Sequence, residues 1–338
     1  KVIPPLPSLL QLMGKKPWNA DHVNAHRLDR WSPAHYTFPM KILVTGASGL
    51  VGAAVVRQLT AGGHYVVRMV RRNPDRSRGD ITWDPTTGRV ERAGLEKLDA
   101  VVHLAGEPIT GLWTAEKKRR IHRSRVQATE FLMEALAGLT HRPKVIVSAS
   151  AVGYYGNRGE TWLPETAGPG LGFLSMLCQE WEKATELASS SGIRVVNLRI
   201  GIVLSPAGGA LKAMLTPFRL GLGGTLGRGR QYMSWIDLSD LASLIQFTLE
   251  NEAIEGPVNA VAPEPVTNRE FTQALARALN RPAFLPVPSF LLHLLPGGMA
   301  RETFLSSQRA EAAVLRKAGF AFSFPTLDIA LEHALGTR

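Results

Sequence analysis

Three glycines spaced three residues apart, Gly46, Gly49 and Gly52, separate the apolar run Ile42-Leu43-Val44-Thr45 from a helical pattern beginning at Leu50. A strand, a glycine turn and a helix N-terminus in that order make a cradle for the pyrophosphate of a dinucleotide. Gly46 permits the tight turn, Gly49 lets the backbone approach phosphate, and Gly52 lets the helix pack on the strand. Thr45, Ser48, Leu50 and Val51 complete the cradle. The next strand ends in Arg71-Arg72-Asn73-Pro74, without a carboxylate. A carboxylate there would hold the ribose 2′-hydroxyl of NAD, whereas arginines pair with a 2′-phosphate. The residues predict NADP(H), held by Arg72 and then Arg71.

Further candidates follow the later strands. Leu104-Ala105-Gly106 lets the backbone run beside a ribose, and Glu107 comes next, at the carboxyl end of the strand. Arg199 ends another strand, facing either the cofactor or a carboxylate. Gln231, Ser234 and Trp235 follow a glycine-rich loop, and Gln231 and Trp235 are the candidates to line a substrate pocket. Cys178 stands alone, so no intramolecular disulfide forms, and it reads as a small core hydrophobe.

These residues need a scaffold. From Met40 the pattern alternates: strands at 41–45, 65–70, 99–104, 144–148 and 193–199, with helices at 50–62, 114–137 and 172–190. Short apolar strands alternating with helices predict an α/β fold, a Rossmann-type doubly wound parallel sheet. Residues 40–200 form its NADP(H)-binding domain. Residues 201–338 form a smaller C-terminal α/β substrate lobe, interleaved with the sheet. Helices are predicted at 237–249, 269–279 (capped by Asn268), 306–318 and 326–335, and a loop with a short core helix at 285–297. The proline-rich segment 1–39 reads as an N-terminal linker or extension.

Composition narrows the function. Of 338 residues, 45% are hydrophobic and 20% charged, a globular balance. No apolar run approaches the roughly 20 residues of a membrane helix. The formal charge is +11, with basic clusters at 68–78 and 117–125. No zinc spacing or aromatic–basic interleaving accompanies them, so no nucleic acid is expected. An anionic cofactor accounts for part of the first cluster and a solvated helix face for the second. A cytoplasmic location is expected, or an organellar matrix or stroma if residues 1–39 are a processed targeting remnant.

With these motifs the chain resembles an atypical extended short-chain dehydrogenase/reductase. More narrowly, it resembles the "epimerase family protein" branch, some of whose members carry a cell-division-inhibitor label. The markers are Thr45–Gly52, Leu104–Glu107, Ser148–Gly156, Trp181-Glu182, Arg199–Leu204 and the stretch from Pro217 to Ile236. The resemblance implies a catalytic serine, tyrosine and lysine. Ser150 fits the serine, and Ser148 is expected to turn toward another layer. The Tyr-x-x-x-Lys positions fall near Leu174 and Cys178, where neither residue type stands. Three readings stay open. Tyr154 or Tyr155 supplies the phenol, beside Ser150 and Glu107, with Tyr155 also a substrate contact. Alternatively, Glu107 is the general acid/base. In the third reading the protein binds NADP(H) without turnover. The resemblance implies a small polar, sugar-like substrate. A homodimer and an upstream fused domain, with 1–39 as its connector, complete the expected partners.

Overall fold

Eight strands build one sheet in the order β12-β8-β6-β5-β1-β2-β3-β4. The computed structural model describes residues 39–290 and 298–336. The expectations for segment 1–38 and for 291–297 lie outside the described residues. The first half contributes β1 (Lys41–Thr45), α1 (Leu50–Ala61), β2 (Tyr65–Val70), β3 (Ile81–Asp84), β4 (Arg89–Val90), β5 (Ala100–His103) and α2 (Ala115–Ala137). Next come β6 (Val145–Ala151), β7 (Trp162–Leu163), α3 (Phe173–Lys183), α4 (Glu186–Ser190) and β8 (Arg194–Ile200). The rest includes β9 (Ile202–Leu204), α5 (Gly209–Arg219), β10 (Tyr232–Met233), β11 (Trp235–Asp237), α6 (Leu238–Glu250), β12 (Gly256–Ala260), β13 (Val266–Thr267) and α7 (Asn268–Ala278). Pairing within the large sheet is parallel except between β3 and β4.

The period-2 side-chain alternation of the central strands explains the double winding. Ile42, Val44, Val102 and Val147 pack with Val55 and Leu59 of α1 and Leu241 and Ile245 of α6. Leu43, Val101 and Ile146 pack on the opposite face with Leu132, Met133 and Leu136 of α2. Each such buried aliphatic side chain contributes about 1.5–3 kcal/mol. The second lobe has its own core, in which Leu215 and Phe218 of α5 meet Trp235, Phe271 and Leu275.

Several details differ from the sequence reading. Strands β3 and β4 extend the sheet beyond β2, and β12 from the second half closes its other edge. The 172–190 helix ends at Lys183 and resumes at Glu186. The 306–318 segment is not one helix: β14 (Arg309–Ala310) pairs with β7, and Ala313–Lys317 is helical. Asn268 is not the cap of α7. Thr267 is, in a capping box with Glu270, and Asn268 instead accepts from the Leu226 amide through Oδ1. Asp237 caps α6 as expected, accepting from Ser239 and Asp240.

Two glycines of the turn are required by space. Gly46 has φ +67°, and a Cβ there would lie 2.8 Å from the Leu104 carbonyl. A Cβ at Gly52 would lie 2.1 Å from the Gly46 oxygen. We expect Gly52→Ala to force α1 off β1 and to lower the unfolding free energy by about 1–3 kcal/mol, read by urea denaturation.

Candidate dinucleotide and substrate site

Among the described residues, no side chain partners the first-turn amides of helix α1. Its N-cap is Gly49, no side chain caps it, and its first turn holds no acidic residue. Helices α2, α6 and α7 by contrast are capped by Thr114, Asp237 and Thr267. Open first-turn amides with the positive end of the helix dipole form an anion site. Thr45 holds the neighbouring loop against this turn, because its Oγ1 accepts from the Leu104 and Ala105 amides at 3.1 and 3.2 Å.

The arginine cluster beyond β2 divides in two. Arg68 pairs with Asp80, Arg76 with Glu91 and Arg78 with Asp75. Arg71 and Arg72 are exposed, and among the described residues neither has a carboxylate partner. Asn73, in the left-handed region at φ 52°, turns the chain immediately after them.

Sheet register sets two rows of polar side chains on the α2 face. The first is Thr45, His103, Ser148 and Asn197, neighbours across β1, β5, β6 and β8. Thr45 Oγ1, already accepting two amides, donates to His103 Nδ1 at 2.8 Å. His103 Nε2 then donates to Thr129 Oγ1 of α2 at 3.0 Å, which also accepts from Trp181 Nε1 of α3 at 3.1 Å. This chain ties the glycine turn to both helices. Burial pushes the His103 imidazole down to about 4, so it is neutral near pH 7. Ser148 is buried without a hydrogen-bond partner for its Oγ. It shares a face with Ser150, contrary to the expected change of layer, because residues two apart in a strand point the same way.

The second row is Ser150, Arg199 and Asn259 on β6, β8 and β12. Arg199 Nε and Nη2 hold both oxygens of Glu182, each at 2.9 Å. Its Nη1 donates to Tyr155 Oη and to the Glu165 carbonyl at 3.0 Å, and Tyr155 Oη donates to Asn259 Oδ1 at 2.8 Å. Ser150 Oγ donates to Glu182 Oε1 at 2.7 Å. The Arg199 and Glu182 side chains are only 4% and 14% exposed. Burial works against the Arg199 charge, but the Glu182 hydrogen bonds outweigh it and hold the guanidinium above its usual range. Of the two expectations for Arg199, the structure supplies the carboxylate partner.

The remaining candidates are scattered. Glu107 accepts from Lys117 Nζ at 2.8 Å, and that bond, with the charges of Lys117 and Arg120, holds its carboxyl below the usual range. It is therefore a poor proton donor at neutral pH. Tyr154 is half-buried, with the Arg199 guanidinium 3.5 Å from its ring centroid. Tyr155 and Trp235 are wholly buried, and Trp235 Nε1 donates to the Glu264 carbonyl. Gln231 Nε2 donates to the Leu226 and Phe304 carbonyls. The Tyr155 hydroxyl, Trp235 Nε1 and Gln231 Nε2 are therefore all committed to protein acceptors. A cavity of about 510 Å³ lies instead beside Gly153, Leu174, Ser175, Glu302 and Gln308. Glu302 accepts from the Phe173 and Leu174 amides at 3.1 and 2.8 Å, closing the N-terminus of α3. Cys178 is buried, and burial pushes its thiol up to about 12. The sequence reading gave no role to Glu182 or Glu302. Glu182 had a signal, as part of the Trp181-Glu182 marker; Glu302 lies far from its partners in sequence and had none.

A Rossmann-type sheet with this turn and with atypical relay positions defines an extended short-chain dehydrogenase/reductase. The chain belongs to the NAD dependent epimerase/dehydratase family, whose model matches residues 42–260. Residues 287–334 match a second model, "Domain of unknown function (DUF1731)". Epimerase family protein Mb2239 of Mycobacterium bovis is 44% identical over 294 residues, covering 87% of this chain and 97% of that protein. The crystal structure of the human epimerase family protein SDR39U1 (isoform 2) with NADPH superposes with a TM-score of 0.81 at 35% identity. That match covers 88% of this chain and all of the human one. A nucleoside-diphosphate sugar epimerase from Corynebacterium glutamicum superposes with a TM-score of 0.75 at 35% identity, over 89% of this chain and 59% of that protein.

Two outcomes test this geometry. Glu182→Gln strands the enclosed Arg199 charge, and a loss of about 3–5 kcal/mol is expected in urea unfolding; Glu182→Met with Arg199→Met recovers part of it. The pH dependence follows from His103. Between its ordinary value of 6.5 and about 4 the unfolded chain takes up a proton that the folded chain refuses. Stability therefore falls as pH falls through that window, by about 3 kcal/mol, and His103→Gln flattens the slope.

Proposed function

We propose that the chain is an NADP(H)-dependent, epimerase-like oxidoreductase acting on a small polar substrate. The observation that carries the cofactor is the division of the arginine cluster: three members are neutralised by carboxylates, and Arg71 and Arg72 are left. The uncapped start of α1 fits the pyrophosphate, and the close approach of Gly46 to the Leu104 carbonyl fits a backbone-lined groove. Thr45, Gly46, Ser48, Gly49, Leu50, Val51, Gly52, Leu104, Ala105 and Gly106 would line it, with Arg71 and Arg72 on the 2′-phosphate. NADP(H), when bound, supplies or accepts hydride at its nicotinamide.

Among the chain's own residues, Tyr154 is the proton carrier of this reading. No protein group among the described residues is hydrogen-bonded to its hydroxyl, and Arg199 stacks on the ring and fixes its plane. Ser150 acts beside it only if its hydroxyl turns away from Glu182. That commitment favours a second reading, in which the protein binds NADP(H) without turnover, as a regulator or scaffold. Following NADPH absorbance with a carbonyl panel separates the two. Turnover abolished by Tyr154→Phe supports the enzyme, and tight binding without turnover supports the regulator.

Affinity tests the cofactor directly. Arg72→Ala should weaken NADPH binding about 10- to 100-fold, as expected for a lost charge-assisted contact, and NADH by less than about threefold. Equal losses for both would remove the 2′-phosphate from this site.

A further inference from the structure

The basic face of α2 holds one half-buried arginine, Arg125, that has no carboxylate partner among the described residues. Arg125 Nη1 donates to the Glu107 carbonyl at 2.8 Å, and its guanidinium lies 5.1 Å from the Trp181 ring centroid. It presses against the loop after β5 so closely that a Cβ at Gly106 would sit 3.1 Å from its Cζ. Glu107, the nearby carboxylate, is engaged with Lys117 and Arg120 instead. Among the described residues, Nε and Nη2 of Arg125 have no protein acceptor, and neither is sealed from solvent. Arg199 is satisfied by Glu182 and Arg194 by three backbone carbonyls, whereas Arg309 Nε is buried without a hydrogen-bond partner among the described residues.

An enclosed, uncompensated cation is costly unless something pairs with it. Its surroundings say where the partner would lie. Gly106 follows Leu104 and Ala105, which touch the Gly46 turn, so Arg125 flanks that turn from the α2 side. Its charge also acts on the buried Cys178 thiol, at the position where the family resemblance calls for a lysine. The thiol there is uncharged at neutral pH, so the cation of the site enters from α2.

We propose that Arg125 binds an anionic oxygen of the ligand, a phosphate or carboxylate lodged beside Gly106. This rests on the NADP(H) reading. The anion belongs either to the dinucleotide itself or to an acidic substrate beside it. Burial pulls the Arg125 guanidinium below its ordinary value, the direction expected before an anion arrives.

Calorimetric titration of the purified chain with NADPH, and with inorganic phosphate at saturating NADPH, reads both sources. Thermal unfolding of the unliganded protein reads the fold. Arg125→Met keeps the contact with Trp181 and removes the charge. It is expected to melt no lower than the wild type and to lose tenfold or more in affinity for one ligand, with Arg125→Lys within threefold of wild type. Loss for NADPH places the anion on the dinucleotide, and loss for phosphate alone places it on the substrate. Arg125→Met that matches the wild type within twofold for both ligands overturns the proposal and leaves the NADP(H) reading standing. So does a loss of binding that merely follows a lower melting temperature and is not rescued by lysine. A wild-type chain that fails to bind NADPH overturns the reading beneath it.

Discussion

The enclosed ion pair between Arg199 and Glu182 is the interaction on which the site depends. It joins the end of β8 to α3, and its outer bonds reach β6 through Ser150 and β12 through Tyr155 and Asn259. Two charges so little exposed are held by bidentate geometry and by further hydrogen bonds at each end. The pair therefore fixes the carboxyl ends of three neighbouring strands. It also takes the Ser150 hydrogen and stacks on Tyr154, so the groups nearest the candidate chemistry are arranged by one carboxylate.

A second chain does the same on the cofactor side. Thr45, His103, Thr129 and Trp181 join β1 to α2 and α3 by successive hydrogen bonds, with a neutral imidazole at the centre. The two chains lie on one face of the sheet, two residues apart along each strand. The glycine turn and the strand ends around Arg199 are thus tied together on one face of the sheet, and among the described residues the first amides of α1, the Arg71 and Arg72 side chains and two nitrogens of Arg125 are in no hydrogen bond to protein outside the helix itself.

The cofactor side was legible in the sequence because its signals are local. A glycine turn between strand and helix, and arginines at a strand end, lie within about thirty residues and follow backbone rules. The central strands and the helices α1, α2 and α6 were legible for the same reason of short period. Strands β3 (ITWD) and β12 (GPVNA) were not, because polar residues, a glycine and a proline interrupt the apolar run that marked the others. Arg199 showed as a strand end, but its partner lies 17 residues away on α3, and Asn259 comes from β12, a strand contributed by the second half of the chain. Tyr155 and Trp235 carried polar groups that suggested a pocket; tertiary packing took both into the core. Arg125 sat in a run of basic residues that reads as a solvated face, and only its fit against Gly106 sets it apart.

The chain belongs to the NAD dependent epimerase/dehydratase family, and the proposed function has it bind NADP(H) without the tyrosine–lysine pair that the resemblance implies. A crystal structure of the chain grown with NADPH tests that most directly. The expected density shows the pyrophosphate at the Gly46–Gly52 turn and the 2′-phosphate between Arg71 and Arg72, with the Arg199–Glu182 pair intact. A dinucleotide bound elsewhere, or one whose 2′-phosphate points away from both arginines, would contradict it.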